Sequence, residues 1–425
     1  MKIKRILTVT AVLALVLVFA VNLCGCGVKP PVLVVKAGDL MDGVVANRPE
    51  RIPDIKQADS KKLAGFALKL FMAAQTEGEN TLVSPVSVLA ALAMTANGAR
   101  NNTLKQMKKT FGIDIDDLNA YFLSFLTSVE NTPSSELEIA DSIWIKDSGE
   151  LKVAEDFLQK NADYYGADAY SAPFDDQTLD DINGWVSNKT HGMIPEILDE
   201  IPKDALMYLV NALAFEAKWA EPYLDTQIHK DEFFRCDDGV TRTVDFMVSK
   251  EHRYVSDGRA TGFIKPYEGG RYAFAALLPD EGLSVSEYLK MLDGDALYKL
   301  ITKTEATTVF AEIPKFESKY GTELSGALKN MGMTDAFDGS LADFGGIGEV
   351  DYGNLYIGRV LHKTFISVDE KGTKAGAATV VEVPKATGAF EEPKRVVLDR
   401  PFVYMLIDME ANVPLFIGTM MDVGA

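Results

Sequence analysis

The sequence predicts an α+β fold. Helical patterns dominate the first half of the chain and strand patterns the second half, and the two do not alternate regularly as they would in a doubly wound fold. The 425 residues are 47% hydrophobic and 25% charged. This composition supplies enough apolar material for one large or two ordinary globular domains.

Two helices have clear patterns near the start of the folded region. Between residues 63 and 74, apolar residues recur at three- and four-residue steps, which is typical of an amphipathic helix. A second helix is predicted to begin with Ser84 as its N-cap and Pro85 at its first position, and to end at Gly98. Because it is apolar on nearly all sides, we expect this second helix to be buried.

Later apolar runs predict buried strands. Each run is short and bounded by turn residues, as in strands that are covered on both faces. The predicted strands span residues 208–215, 272–278, 307–313, 360–368 and 402–407.

The N-terminus has the pattern of an export signal. Residues 2–5 carry three basic side chains, residues 6–21 are apolar, and residues 23–26 are Leu-Cys-Gly-Cys. The apolar run is also about as long as a short membrane span, so an uncleaved membrane anchor stays an alternative.

The Leu-Cys-Gly-Cys ending resembles the bacterial lipobox, in which a small residue precedes a cysteine that is acylated and becomes the new N-terminus. Cys26 fits this pattern, whereas Cys24 follows the bulky Leu23 and fits poorly. We therefore expect residues 1–25 to be a lipoprotein signal peptide. The mature protein is expected to be exported and held at the membrane, on the cell surface, by lipid on Cys26, with its domain extracellular.

Composition separates a tether from a domain. Residues 26–58 contain four prolines and no sustained helical period, so they are predicted to be the lipidated N-terminus and tether, followed by a folded domain over residues 59–425. Cys236 would then be the only free thiol of the mature chain, and no intramolecular disulfide is expected. The formal charge of −19 argues against a nucleic-acid partner, because phosphate contacts need a basic patch.

No signature of a catalytic site is found. Among four histidines none lies in a His-Glu-x-x-His motif, and neither a Gly-x-Ser-x-Gly elbow nor a Gly-rich phosphate-binding loop is present. His362 shares its predicted strand face with Val360 and Ile366, which indicates a hydrogen-bonded core histidine. We therefore expect no enzyme activity, no cofactor and no metal site.

Residues 366–390 have the pattern of a segment that can be either loop or strand. From Thr373 to Val383 every odd-numbered residue is small or β-branched, and the charges before Pro384 fall on even positions. Because alternate residues of a strand face opposite sides, the segment could enter a sheet with its odd face on a core. Its glycines weaken it as a permanent strand, and Pro384 marks a turn or exposed loop. A conformational switch requires such a segment.

Residues 370–379, Glu-Lys-Gly-Thr-Lys-Ala-Gly-Ala-Ala-Thr, resemble the hinge of the reactive-centre loop in inhibitory serpins. Further short motifs follow in the order of that family through nearly all of residues 59–425. These motifs begin at Asn80, Ala91, Asn97, Leu209, Leu277, Ile313, Met331, Ala342, His362, Arg400 and Pro414.

The resemblance implies a serpin fold, with roughly nine helices packed on three β-sheets and an exposed reactive-centre loop at about residues 370–400. It also implies an irreversible suicide inhibitor of serine proteases. The target protease cleaves the loop and forms an acyl-enzyme, and the cut loop then inserts into the central sheet and distorts the covalently bound protease. The implied partner is that protease, and the inhibitor itself is expected to be a monomer.

Three groups of site residues are implied by the same resemblance. They are the hinge, which enters the sheet; the shutter, a polar cluster under the central strands; and the breach, where insertion starts. The hinge residues are Glu370, Gly372, Thr373, Ala375, Ala377 and Ala378; the shutter residues are Ser84, Ser87, Asn211 and His362; the breach residues are Trp219, Lys315 and Glu370. Lys374 departs from the family, which usually has glutamate there, but its even position turns it outward, so insertion is expected to survive.

The family's usual spacing of sixteen residues from Glu370 places the cleaved bond between Ala386 and Thr387. A small residue at this bond suits an elastase-like or subtilisin-like protease. Lys385, one residue earlier, would suit a trypsin-like enzyme. Phe390 fits a different spacing, counted back from the end of the loop, that some members allow. Both stay alternatives.

Two other functions stay open on the sequence alone. The chain could be a non-inhibitory serpin that acts as a binding or structural protein, or an inhibitor of a cysteine protease. The small hinge residues favour inhibition, since non-inhibitory members tend to carry bulky or charged residues there.

Overall fold

The computed structural model describes residues 33–147, 152–201, 206–349, 354–373 and 393–424. Within these ranges the chain forms nine α-helices, three large β-sheets and one two-stranded sheet. The predicted α+β class, with its helices packed on three sheets, is confirmed.

The helices occupy mainly the first half of the chain. They are α1 (Gln57–Ala74), α2 (Pro85–Ala96), α3 (Asn101–Phe111), α4 (Ile115–Ser128), α5 (Glu155–Tyr165), α6 (Asp176–Lys189), α7 (Val285–Met291), α8 (Gly294–Thr302) and α9 (Ser325–Asn330).

The strands concentrate in the second half. They are β1 (Gly38–Asp39), β2 (Thr81–Val83), β3 (Ser135–Lys146), β4 (Lys152–Val153), β5 (Asp168–Ala172), β6 (Met207–Lys218), β7 (Ile228–Arg235), β8 (Thr241–Glu251), β9 (Tyr254–Ser256), β10 (Ala260–Pro266), β11 (Tyr272–Pro279), β12 (Val309–Pro314), β13 (Phe316–Glu323), β14 (Gly348–Glu349), β15 (Arg359–Val368), β16 (Gly372–Thr373), β17 (Lys394–Val397), β18 (Phe402–Asp408) and β19 (Val413–Met420). Each of the five predicted strands overlaps one of these, namely β6, β11, β12, β15 and β18.

Helix α2 is buried along its whole length, as its composition predicts. It lies between β19 of one sheet and β3 and β6 of another. Ser84 does occupy the N-cap position, but its hydroxyl makes no capping hydrogen bond. The backbone N–H of Ser84 donates to His362 Nε2 at 3.0 Å, which ties the start of the helix to β15. The C-cap is Asn97, one residue before the predicted end.

The central sheet has seven strands, in the order β1, β5, β3, β6, β16, β15 and β13. Its strands β6 and β15 run parallel and pair directly over part of their length, while β16 lies between them at one end. We call this junction between β6 and β15 the seam. The other large sheets have the orders β2, β19, β18, β11, β10, β9 and β17, β12, β8, β7.

Both faces of the central sheet are covered by apolar clusters. On β6 the odd-numbered Leu209, Leu213 and Phe215 belong to the main core, which lies against α2 and the six-stranded sheet. Even-numbered side chains in the first half of β6, such as Val210, belong to a second cluster that includes Trp185 of α6. A strand with two buried faces shows no alternation, which is why β6 appears in the sequence as a continuous apolar run.

The segment before α1 packs along the folded body from Leu33 onward. Strand β1 pairs antiparallel with β5, and the Asp181 carboxylate of α6 accepts hydrogen bonds from the backbone N–H groups of Lys36 and Ala37 at 3.0 and 2.7 Å. The predicted tether limit at residue 58 falls inside α1. The predicted signal peptide and Cys26 lie outside the described residues. None of the helices described in the structure is both long and apolar enough to span a membrane.

Candidate functional site at the seam of the central sheet

The two ends of the seam are built differently. At one end Tyr208 to Ala212 of β6 pair directly with Arg359 to Lys363 of β15. At the other end β16 separates the strands, since Thr373 pairs with Ala217 on one side and with Val368 on the other. Between these ends, residues 213–216 and 364–367 have no ladder pairs with each other in the described structure. The seam is therefore closed at one end and wedged open at the other.

The two ends share one register. In the direct ladder Arg359 is level with Tyr208, and at the other end Val368 is level with Ala217 across Thr373. The two residues of each pair are separated by the same number of positions in the sequence. A strand that continued from Thr373 could thus pair with both neighbours without any sliding of β6 along β15. Opening the seam requires only sideways separation.

A tight turn brings the chain from β15 back into the seam. The Asp369 carboxylate accepts hydrogen bonds from the backbone N–H groups of Lys371 and Gly372 at 2.8 and 3.2 Å. Gly372 has φ +154°, and a Cβ atom there would lie 2.0 Å from the carbonyl oxygen of Ala217. Only glycine fits this conformation and this close approach, which gives the predicted hinge residue a physical reason.

The three predicted breach residues are brought together beside this turn. Lys315 Nζ lies 2.8 Å from a Glu370 carboxylate oxygen, and this contact lowers the pKa of Glu370. The indole Nε1 of Trp219 donates to the carbonyl oxygen of Asp369 at 2.8 Å. The backbone N–H of Trp219 donates to the carbonyl oxygen of Lys371 at 3.0 Å. The turn is therefore held from both sides of the seam, by Trp219 next to β6 and by Lys315 next to β13.

Aromatic residues that the sequence did not single out complete the breach. The Tyr267 ring stacks on Trp219 with a centroid distance of 4.4 Å, and its hydroxyl lies 2.6 Å from Thr373 Oγ1. Both Tyr267 and Thr373 are buried, and burial raises the pKa of the Tyr267 phenol, which stays neutral. Tyr267 directly follows β10, and its partner is 106 residues away along the chain, so no local pattern could have identified the pair.

A buried ion pair lies next to the same aromatic cluster. Lys265 Nζ is 3.0 Å from a Glu251 carboxylate oxygen, with both side chains almost fully buried, and it lies over the Tyr223 ring at 4.5 Å from the centroid. The backbone N–H of Tyr223 donates to the carbonyl oxygen of Glu370 at 2.9 Å. Removing either partner of this pair would leave an uncompensated buried charge, so the breach depends on both.

The four predicted shutter residues also meet, under the closed end of the seam. His362 Nδ1 lies 2.9 Å from Asn211 Oδ1, and the Asn211 amide also contacts Ser87 Oγ. Since the Ser84 N–H donates to His362 Nε2, the proton of the neutral imidazole is on Nδ1 and points to Asn211. Ser84 takes part through its backbone, because its hydroxyl is buried without a hydrogen-bond partner among the described residues.

Asp141 of β3 is a fifth member that the sequence analysis missed. The Asn211 amide donates to its carboxylate at 2.5 Å, and desolvation raises the pKa of Asp141 to about 8. A signal existed in the sequence, since Asp141 is the one charged residue among the odd-numbered positions of β3 that otherwise face the main core.

The remaining predicted site residues lie outside the described part of the chain. They are Ala375, Ala377, Ala378, Lys385, Ala386, Thr387, Phe390 and Cys26.

The buried His362 should make the native state acid-sensitive. Desolvation lowers its pKa from 6.5 to about 3, so below pH 6.5 the unfolded chain takes up a proton that the folded chain does not. We expect this term to cost on the order of 3 kcal/mol of stability by pH 4. His362→Gln, which keeps a donor and an acceptor, should lose much of this pH dependence in thermal unfolding measured between pH 7 and pH 4.

The comparison isolates His362 from Asp141, whose raised pKa acts with the opposite sign and favours the folded state at low pH. His252→Gln, at an exposed histidine, is the control and should unfold with the wild-type pH dependence. An identical acid response in His362→Gln and wild type would contradict the assignment.

The hydrogen bond between Tyr267 and Thr373 should hold β16 in the seam. Tyr267→Phe and Thr373→Val are each expected to lower stability by about 1 kcal/mol, and the double variant should lose little more than either single one. Thermal unfolding of the native form measures this. Tyr272→Phe is the control, because the buried Tyr272 hydroxyl has no hydrogen-bond partner in the described structure. Fully additive losses would show that the two side chains act separately.

Comparisons with known proteins identify the family. A family model described as "Serpin (serine protease inhibitor)" matches residues 61–423. The chain is 45% identical to tengpin, a thermophilic serpin solved in its native state, with a TM-score of 0.86 over 91% of this chain and 100% of tengpin. The same protein in its latent state gives a TM-score of 0.77.

More distant relatives have different stated activities. Leukocyte elastase inhibitor A of Mus musculus is 31% identical over 83% of this chain and 96% of its own length. Thyroxine-binding globulin, solved in complex with thyroxine, is 25% identical with a TM-score of 0.75 over 87% of this chain and 100% of its own. With a matching family model over most of its length and the predicted architecture in place, this chain belongs to the serpin family.

Proposed function

We propose that this chain is an irreversible suicide inhibitor of serine proteases with elastase-like or subtilisin-like specificity, which acts by loop cleavage and insertion into the central sheet. The observation that carries the proposal is the position of Thr373. It already lies between β6 and β15, in the register that an inserting strand would follow.

Extending this register assigns a neighbour to each later loop residue. An inserted residue 375 would lie between Phe215 and Ile366, and residue 379 would lie between Asn211 and His362. These neighbours are buried, and the odd-numbered loop residues are small or β-branched, so their side chains fit a closed core. A large or charged side chain on this face would have to be buried without a partner.

The unusual Lys374 also fits this register. An inserted residue 374 would lie level with Glu216 of β6, and Glu216 is the cross-strand partner of Glu136 on β3. Opposite charges across a strand pair stabilise a sheet. A lysine where the family usually has glutamate is therefore matched to the carboxylates of this particular chain.

The energetics favour insertion once the loop is cut. The direct ladder between β6 and β15 must separate, but an inserted strand pairs its backbone with both of them, at about 1 kcal/mol for each hydrogen bond. About fifteen inserted residues at about 3.3 Å each would carry a bound protease roughly 50 Å. A serpin with a similar sequence has been solved in both a native and a latent state, which supports the existence of two folded states here.

The location and assembly remain part of the proposal. An export signal over residues 1–25 and lipid on Cys26 would display the inhibitor outside the cell, as an anchored monomer whose partner is the protease. The similarity to an elastase inhibitor supports the choice of target class.

Thr373→Arg should convert the inhibitor into a substrate, because an arginine at the buried mouth of the seam stalls insertion. Incubation with elastase or subtilisin, followed by denaturing gel electrophoresis, should show a covalent complex for wild type and only cleaved chain for Thr373→Arg. Thr373→Val, similar in size and uncharged, is the control and should keep forming the complex.

Complex formation by Thr373→Arg at the wild-type level would refute the insertion mechanism. Cleavage of the wild type without any covalent complex would instead support a non-inhibitory serpin, as in the thyroxine-binding relative. A complex that forms only with cysteine proteases would support the remaining alternative.

The released C-terminal fragment should begin at Thr387. Mass spectrometry after breakdown of the complex measures its N-terminus, and the small Ala386 before the bond is the reason for the choice. A fragment beginning at Ala386 would assign the bond to Lys385, and one beginning at Glu391 would assign it to Phe390.

A further inference from the structure

The segment that follows α6 crosses the seam on the face of the central sheet opposite the main core. We call residues 190–201 the strap. Its Ile194 and Leu198 are buried in the second apolar cluster, together with Val210 of β6 and Leu361 of β15. The strap therefore covers both strands where they pair directly.

Two parts of the strap, its beginning and its middle, are tied to different strands. On the β15 side, Lys363 Nζ donates to the carbonyl oxygen of Glu196 at 2.7 Å. On the other side, His191 Nε2 lies 3.0 Å from a carboxylate oxygen of Glu136 on β3. The two ties lie on opposite sides of the seam.

The β3 tie contains a set of potential metal ligands. Glu136 and Glu138 are two residues apart on β3 and so project from the same face of the sheet, next to His191. One ligand atom from each of these three residues lies within 4.8 Å of the other two. Both glutamates are half-buried, and Asn131 Nδ2 donates to Glu138 at 2.7 Å, which orients that carboxylate.

The backbone at His191 is unusual for its residue type. His191 has φ +50° and Gly192 has φ +79°, so two successive residues just after the C-cap of the helix are in the left-handed region. Glycine takes this conformation freely, whereas most other residues are strained in it. A histidine is thus kept in a strained position that directs its imidazole to the two glutamates.

We infer that Glu136, Glu138 and His191 form a binding site for Zn²⁺ or a similar divalent transition-metal ion. One imidazole nitrogen and two carboxylate oxygens are ligands that Zn²⁺ accepts in tetrahedral geometry, with water as the fourth ligand. At metal–ligand distances of about 2.0–2.2 Å the ligand atoms would stand about 3.4 Å apart. Small rotamer changes of these accessible side chains achieve this. Mg²⁺ and Ca²⁺, which prefer oxygen ligands alone, fit less well.

Metal binding would fasten the strap to β3. If the proposed function is taken as given, this fastening affects inhibition. An inserting strand must separate β6 from β15, and the strap covers both strands at that place. A fastened strap resists that separation and slows insertion. The protease then has more time to hydrolyse the acyl-enzyme, and a larger fraction of the inhibitor is released as cleaved chain. The metal ion would then stabilise the native state and lower the yield of covalent complex.

Binding is tested directly with Zn²⁺ by titration calorimetry and with Co²⁺ by its visible absorption, on the purified protein. We expect one ion per chain and a rise of the unfolding midpoint by a few degrees, as for any ligand of the folded state. His191→Gly removes a ligand and relieves the backbone strain, and Glu138→Gln removes a ligand without changing shape. Each should weaken binding by at least about tenfold.

His229→Gln, at an exposed histidine elsewhere, is the control and should bind as wild type does. Without metal, His191→Gly should unfold at a temperature no lower than that of the wild type. A loss of metal binding in this variant would then not be due to a folding defect. Binding that survives in both ligand variants, or no binding of either ion by wild type, overturns the site.

The coupling to inhibition has its own readout. The measured quantity is the number of inhibitor molecules consumed for each protease molecule inactivated. Zn²⁺ should raise this ratio for the wild type but not for His191→Gly. Because both proteins are tested at the same Zn²⁺ concentration, an effect of the metal on the protease itself is excluded. Tight metal binding with an unchanged ratio would overturn the coupling. Absence of any covalent complex without metal would refute the proposed function and leave the binding result intact.

Discussion

The backbones of β6 and β15 must satisfy their hydrogen-bonding groups inside a sheet that is covered on both faces. Along the seam they do so only in part, with each other at one end and through Thr373 at the other. The open stretch between the two ends lies beside this wedge, and the common register means that the strands are already aligned for a new neighbour. The shutter and the breach support this junction, and the strap covers it.

Buried polar groups hold the two ends. The shutter joins α2, β3, β6 and β15 through Asp141, Asn211 and His362, while the breach joins β6, β10 and the hinge turn through Trp219 and Tyr267. In a nonpolar core each of these groups is costly when it loses its partner. Such networks resist partial separation, so the seam is expected to stay in one of two arrangements and not to open gradually.

Much of this could be predicted from the sequence. The apolar run of α2 and the strand runs of β6 and β15 follow directly from composition and turn residues. The breach and shutter positions came from the resemblance of short motifs to a family. What remained hidden depends on contacts between distant segments. Tyr267 reaches Thr373 only through the arrangement of two sheets, and Ser84 meets His362 through its backbone N–H, while its hydroxyl has no hydrogen-bond partner among the described residues.

The strap is held on β15 by the hydrogen bond from Lys363 to the carbonyl oxygen of Glu196, near the protein surface, and by the apolar cluster that its Leu198 shares with Leu361. A hydrogen bond of this kind breaks and re-forms often on the timescale of local fluctuations. Under the proposed mechanism the protein would age, because each fluctuation that frees the strap while the mouth of the seam is open would let an uncut molecule insert its loop without inhibiting a protease. The shelf life of the active protein would then be set less by its global stability than by how firmly this short cover stays in place.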